Sequence, residues 1–413
     1  GLLSLRGFLS LAMATPDLAS APFPAVPEKC LVTGGSGFVG QRLVEMLVER
    51  GAKRVISFDI APPPADAWQR KEIEYVQGDI SDREAVFKVV EGVDCVWHNA
   101  AAVGPYHPED VYVKVNYEGT LNVVDACKEF GCSKLIFSSS PSTRFDGSDV
   151  DGLSEEQMPS IPQRKYLQDY AKTKAMGELA VSAACSEDLM TVAIAPHQVY
   201  GPRDNLFLPN MLEVAGQGML RIFGGGHNRI CFSHVDNYCH GLILGSTALY
   251  PGSPALGKFY IVTDGSTHPD PRGCCEFWVE LDKAVVAMGF QSIWSKFKLP
   301  VWFLMPIAYL CLFIGWIIGV KIKLNPFAVR VLTMHRWFDI SAAENDLKYK
   351  PVISYKQGWA ETIAWFKENW LPDFQSGKNR RLAGISKKTN DKIDLSTAGV
   401  TETKKKRSGK KAD

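Results

Sequence analysis

Along the first 200 positions the apolar residues gather into short runs, most of them followed by a stretch with helical spacing. CLVTGG at 30–35, VISFDI at 55–60, EYVQGDI at 74–80, DCVWHN at 94–99, KLIFSS at 134–139 and TVAIAP at 191–196 are such runs. Short apolar runs bounded by glycine and polar residues read as buried strands, and the longer patterns between them as amphipathic helices. Apolar runs alternating with helical patterns of about 10 to 20 residues predict βαβ crossovers and a mostly parallel sheet covered on both faces. Ligands on such sheets lie at the carboxyl ends of the strands. In this chain those ends carry Ala100, Ala101 and the run Ser138 to Ser140.

Between the first strand and its helix stand Gly34, Gly37 and Gly40, with Ser36 and Phe38 among them. Two glycines let a backbone turn tightly and approach a pyrophosphate, the third lets the helix pack on the strand, and the helix N-terminus offers free N–H groups. The second strand ends at Asp59, about 20 residues on, where a carboxylate accepts from ribose hydroxyls and repels a 2′-phosphate. This predicts a Rossmann-type fold binding NAD, with NADP disfavoured. Asp79 and Ile80 are placed to frame the adenine, and Ala100 and Ala101 to admit the dinucleotide.

The segment DYAKTKAMGE puts Tyr170 and Lys174 one helical turn apart on one face. Removing a hydride from a secondary alcohol requires a group to take the hydroxyl proton, and an unperturbed phenol is a poor base at neutral pH. A neighbouring ammonium favours the phenolate, and a serine hydroxyl can hold the substrate oxygen in line. Tyr170, Lys174 and Ser140 suit those roles, and Asn116 in VNYEGT suits a water-mediated proton route from Lys174.

TGGSGFVG, GDI, HNAAA, NYEGT, SSS and YAKTK, in this order, resemble the extended short-chain dehydrogenase/reductases. PHQVYGPRD at 196–204, followed by GGGHNRICFSHVDNYCHG, is similar to the 3β-hydroxysteroid dehydrogenase branch, over roughly residues 29 to 370. Pro196 opens the most specific of these runs and is expected to touch the cofactor. Ala195, where the family usually has arginine, and Pro141, after Ser140, depart from the pattern. Within the branch, the resemblance is strongest to enzymes of 4α-carboxysterols. It implies oxidation of the 3β-hydroxyl by NAD and loss of carbon dioxide from the resulting β-keto acid. The alternatives are a 3β-hydroxysteroid dehydrogenase/isomerase, a nucleotide-sugar epimerase and a membrane-bound NAD-binding scaffold without turnover.

Leu299 to Val320 holds 22 residues without a charge, flanked by Lys296, Lys298, Lys321 and Lys323. Its length suits a membrane span, but globular sequence continues beyond it. A monotopic segment or short hairpin, broken near Pro306 and lying in one leaflet beside the substrate pocket, is the consistent expectation; a fully buried helix is the alternative.

Charge refines the picture. The net charge of +1 combines a tail from Lys378 to Asp413 of net +8 with a body of about −7. The final K-K-A-D resembles a dilysine retrieval signal of endoplasmic-reticulum membrane proteins, which acts on the cytosolic face. Ten cysteines without C-x-x-C or zinc spacing predict free thiols in a reducing compartment, with no disulfide and no metal. His197, His227 and His234 read as loop or packing residues. The expected organisation is a disordered leader at 1–27, an NAD-binding core at 28–195, a mainly substrate-binding region at 196–372 and a basic disordered tail at 373–413. The expected partners are a sterol or steroid and the endoplasmic-reticulum membrane, with a homodimer as one assembly and no nucleic acid.

Overall fold

The computed structural model describes residues 23–377 apart from 105–106, 320–321 and 323. Seven strands form the central sheet: β1 (Lys29–Thr33), β2 (Arg54–Asp59), β3 (Ile73–Gln77), β4 (Cys95–His98), β5 (Lys134–Ser138), β6 (Met190–Pro196) and β7 (Phe259–Val262). Their order is β7-β6-β5-β4-β1-β2-β3 and every pairing is parallel. The chain steps outward from β1 to β3, then returns to place β4 on the other side of β1. A crevice opens at that reversal, beyond the carboxyl ends of β1 and β4.

Period-two alternation builds both faces of the sheet. In β1, Cys30 and Val32 pack on one side with Leu43 and Leu47 of the Phe38–Glu49 helix and with Tyr238 and Leu242 of the Val235–Thr247 helix. Leu31 faces the other side, among Val96, Leu135, Val123 and Val181. Burial on both faces is why these strands read as nearly continuous apolar runs.

The two regions expected on either side of residue 195 share strands. β7 comes from beyond that point, while Val150–Leu153 joins a four-stranded sheet with Arg336–Phe338, Arg229–Ile230 and Cys275–Glu276. Phe23 lies under the Arg50 guanidinium, 4.2 Å from its ring centre, and Phe374 packs on Phe290 at 5.6 Å. Both fall within the segments expected as leader and tail, of which residues 23–27 and 373–377 are described. The remainder of both segments, with K-K-A-D, lies outside the described residues. All ten cysteines are free thiols, eight of them buried.

The apolar segment forms a single helix, Val301–Ile318, running through Pro306. The hairpin expected at this proline is thus corrected. Proline removes one intrahelical bond, and Leu304 and Ala308, on either side of it, both pack on Val329 and hold the helix across the defect. The buried-helix alternative is corrected as well. Eleven large apolar side chains of this helix are exposed, Trp302 and Trp316 by 77% and 78%. Leaving such side chains in water forgoes roughly 1.5–3 kcal/mol for each one that burial would cover. At about 1.5 Å per residue the helix is about 27 Å long, just short of a hydrocarbon core. Both ends return to the same body. Leu299 exchanges backbone hydrogen bonds with Ile222 and Gly224, and Trp278 donates to the Leu332 carbonyl just after the Pro326–Val331 helix.

Candidate active site

The glycine loop sits at the crevice. Gly34 takes φ +71°, where a side chain is disfavoured, and the N–H groups of Gly34 and Gly35 donate to the Phe58 carbonyl at 2.8 and 3.3 Å. A Cβ on Gly34 would stand 2.8 Å from the Ala100 nitrogen, and one on Gly40 only 1.9 Å from the Gly34 carbonyl oxygen. These glycines let loop, helix and β4 touch. Gly37 caps the Phe38–Glu49 helix with no side-chain cap and no acid in the first turn, so the positive end of the helix is left for an anion.

Asp59 accepts from the Ser36 N–H at 3.0 Å and the Ala61 N–H at 2.9 Å. Burial pushes its carboxyl above the usual range, and backbone donors pull it back. Asp79 accepts from the Ser81 N–H at 2.8 Å. An uncapped helix end, a carboxylate at the end of β2 and small residues after β4 fit a dinucleotide lying across the crevice.

One cavity of about 1060 Å3 gathers most of the expected residues: Gly34, Gly37, Phe38, Asp59, Asp79, Ile80, Ala100, Ala101, Ser140, Tyr170, Lys174 and Pro196 all line it. Ser36, Gly40 and Asn116 do not. Ser36 serves Asp59, and Gly40 packs on the loop. Asn116 is 1% exposed and sits in a π-helical turn, Val113–Glu118. Its amide accepts from the Ala102 N–H at 2.8 Å and donates to the Ala102 carbonyl at 3.2 Å, so it clamps the segment that follows β4.

Tyr170 and Lys174 share the Asp169–Ala183 helix. Burial pushes the Tyr170 phenol up to about 12, and a hydrogen bond with Ser140 works against it. Lys174 is 2% exposed, donates to the Ser138 carbonyl at 2.5 Å and lies 3.9 Å from the centre of the Phe137 ring. Burial pushes its ammonium down to about 7, with Glu178 working the other way. Ser140 caps a 3-10 turn, Pro141–Arg144, and accepts from the Ser142 N–H at 3.3 Å. Pro141 is the first residue of that turn, where a missing N–H costs nothing. Ala195 is fully buried within β6, paired with Ile261 of β7.

Sequence reasoning missed the groups that hold this cluster. Glu178 forms a buried ion pair with Arg144 at 2.6 Å and accepts from Ser139 at 2.5 Å, joining the helix, the 3-10 turn and the end of β5. Its position four residues after Lys174 was the available signal. Tyr238 shares a 2.6 Å hydrogen bond with Ser138. His98 bridges Thr33 and Thr120 at 2.8 and 2.9 Å, and burial, with Lys174 nearby, pushes it down to about 3, so the ring is neutral. Thr33 in turn accepts from the Asn99 and Ala100 N–H groups, both at 3.1 Å. The three histidines weighed earlier lie elsewhere. His197 contacts the Cys231 carbonyl, His227 is exposed beside Glu276, and His234 caps the Val235–Thr247 helix. Among the described residues no cluster suits a metal ion.

The cavity extends past this cluster between walls that are mainly apolar, with Asn205, Asn210 and Arg221 among the lining. Leu299, Leu304, Leu324, Ala328 and Leu332 line its far end, beside the exposed helix.

Comparison with known proteins gives a consistent pattern. The profile of the 3-beta hydroxysteroid dehydrogenase/isomerase family matches residues 31–283. The chain is 33% identical to 3beta-hydroxysteroid-dehydrogenase/decarboxylase isoform 1 of Arabidopsis thaliana, over 82% of this chain and 79% of that one. It is 29% identical to the human sterol-4-alpha-carboxylate 3-dehydrogenase, decarboxylating, over 82% and 88%. Among solved structures, UDP-glucuronic acid 4-epimerase from Bacillus cereus in complex with NAD superposes with a TM-score of 0.61 at 22% identity, covering 82% of this chain and 99% of that one. That likeness shows a shared fold.

Proposed function

Since the chain belongs to the 3-beta hydroxysteroid dehydrogenase/isomerase family, we propose that it is an NAD-dependent oxidoreductase acting on the 3β-hydroxyl of a 4α-carboxysterol, with decarboxylation. The observation that carries this reading is the continuity of one cavity from the glycine loop, past Ser140, Tyr170 and Lys174, to an apolar end. Its volume of about 1060 Å3 exceeds that of most single small-molecule sites, roughly 300–1,000 Å3, and suits a dinucleotide and a rigid apolar substrate in series.

The glycine loop and the uncapped helix end would hold the pyrophosphate of NAD, and Asp59 would take its ribose hydroxyls. Bound there, NAD would supply the hydride acceptor. Ser140 holds the substrate oxygen and Tyr170 removes its proton as the C–H bond breaks, leaving a C3 ketone. Lys174, charged, stabilises the phenolate, and Glu178 favours that charged form. The ketone stands β to the carboxylate. The bond to the carboxyl carbon then breaks, its electron pair flows into the ketone as an enolate, and carbon dioxide leaves. Ser140 and the reprotonated Tyr170 can donate to that enolate oxygen.

We assign the protein to the cytosolic face of the endoplasmic-reticulum membrane. The exposed Val301–Ile318 helix and the free thiols support this assignment. An apolar face held against the body at both ends suits one leaflet better than a crossing.

The test is NADH formation by detergent-solubilised protein given a 4α-carboxysterol and NAD, with carbon dioxide captured. Equal yields of NADH and carbon dioxide are expected, both falling about 10^3-fold in Tyr170→Phe. NADH without carbon dioxide would favour the dehydrogenase/isomerase, and neither product would overturn the reading.

A further inference from the structure

Resting on that steroid reading, we propose that the cavity fills directly from an anionic bilayer leaflet. The substrate enters ring-A end first through a port beside the Val301–Ile318 helix, and its hydrocarbon tail remains at the port.

The helix has two working sides. Leu304 is 2% exposed and forms part of the cavity wall, while the preceding Trp302 and Phe303 are 77% and 46% exposed. One element thus separates the cavity from whatever covers the outer face. The rim is open at the same place. Met219 lines the cavity and is 52% exposed, and Phe297, at the foot of the helix, is 67% exposed.

Three cations ring this opening. The Arg221 guanidinium lies 5.0 Å from the Phe297 ring centre, Lys296 donates to the Gly218 carbonyl at 3.3 Å, and Lys298 to the Gly225 carbonyl at 2.9 Å. Among the described residues none of the three has a carboxylate within ion-pair distance. Apolar side chains flanked by unpaired cations complement an anionic leaflet, with the tryptophans near the two ends of the helix at headgroup level. A second copy is the poorer occupant. In a two-fold interface the same patch meets itself and would bring the two cationic rims together.

The polarity gradient in the cavity sets the direction of entry. Ser140, Tyr170 and Lys174 mark the reacting end, while Leu299, Leu324 and Leu332 line the port, with Arg221 at its rim. A sterol in a leaflet carries its hydroxyl at headgroup level and its tail below. Rising into this cavity, it delivers the hydroxyl to Tyr170 without turning over, and the tail is the last part to leave the hydrocarbon.

The experiment uses the full chain, active in detergent, with substrate embedded in vesicles of phosphatidylcholine alone or with phosphatidylserine. Binding and oxidation are expected to rise with phosphatidylserine. Lys296→Gln/Lys298→Gln should weaken vesicle binding about ten- to thirty-fold while leaving turnover in detergent unchanged. Substrates with the same ring A and shortened side chains should keep kcat/KM in detergent within about threefold, because the tail lies at an open port. A protein active in detergent but indifferent to anionic lipid, or one that discriminates strongly by tail length, would overturn the port. A stable dimer that shields the helix from vesicles would overturn it as well. Absence of turnover in detergent would instead count against the steroid reading itself.

Discussion

Lys174 is an ammonium buried in the cavity at a cost to stability. Unfolded, it holds its proton to about pH 10.4; in the folded chain burial releases that proton near 7. Between those values the unfolded chain binds more protons, so this residue makes stability rise with pH from about 7 to about 10, and below 7 its full cost remains. The difference amounts to about 5 kcal/mol. Lys174→Met, close in shape and uncharged, is therefore expected to raise the thermal midpoint at pH 6–7. The gain should shrink toward pH 10, while NADH formation is lost. A variant equally or less stable at pH 6 would show that Glu178 and the Ser138 carbonyl already compensate the charge. The roles of Tyr170 and Lys174 could be proposed from four consecutive residue steps. The Glu178–Arg144 pair and the Tyr238–Ser138 bond could not, because they join positions 34 and 100 residues apart.

At the scale of elements, the glycine loop was the most legible part, because strand, turn and helix are consecutive and each glycine meets a local requirement. The structure separates their duties. On Gly37 a Cβ would meet only the Gly34 oxygen, at 3.3 Å, whereas on Gly40 it would lie 1.9 Å from that same atom. Gly40→Ala is expected to displace the loop and cost about 2 kcal/mol or more in stability. Gly37→Ala should keep the melting temperature nearly unchanged and weaken NADH binding, measured by fluorescence titration, about tenfold. Equal melting temperatures for the two variants would contradict this division. The Val301–Ile318 helix was legible in composition but not in form. Proline predicts a break from local geometry, whereas packing of Leu304 and Ala308 on Val329 is a tertiary fact that overrides it. The π-turn around Asn116 was not legible, because a single i→i+5 turn has no residue signature of its own and the Ala102 segment that Asn116 holds lies 14 residues away.

On the scale of the whole molecule, the alternation of runs announced the parallel sheet, but not that the two regions exchange strands. β7 is supplied from beyond residue 195, and Val150–Leu153 is lent in return. This exchange governs how the chain can be made and broken. A fragment ending at residue 195 would lose β7 and leave Met190–Ala195 as an unprotected sheet margin, its row of N–H and C=O groups free to recruit another chain. Such a fragment, expressed alone, is expected to aggregate, and co-expression with residues 196–413 to restore soluble material that binds NADH. A soluble, monomeric N-terminal fragment would show that the margin is protected in some other way. Residues 28–195 are therefore not expected to work as a detached module. During synthesis the nascent sheet must wait for more than 60 further residues before its last strand arrives, and the hydrophobic Met190–Pro196 segment is a natural station for a chaperone in that interval.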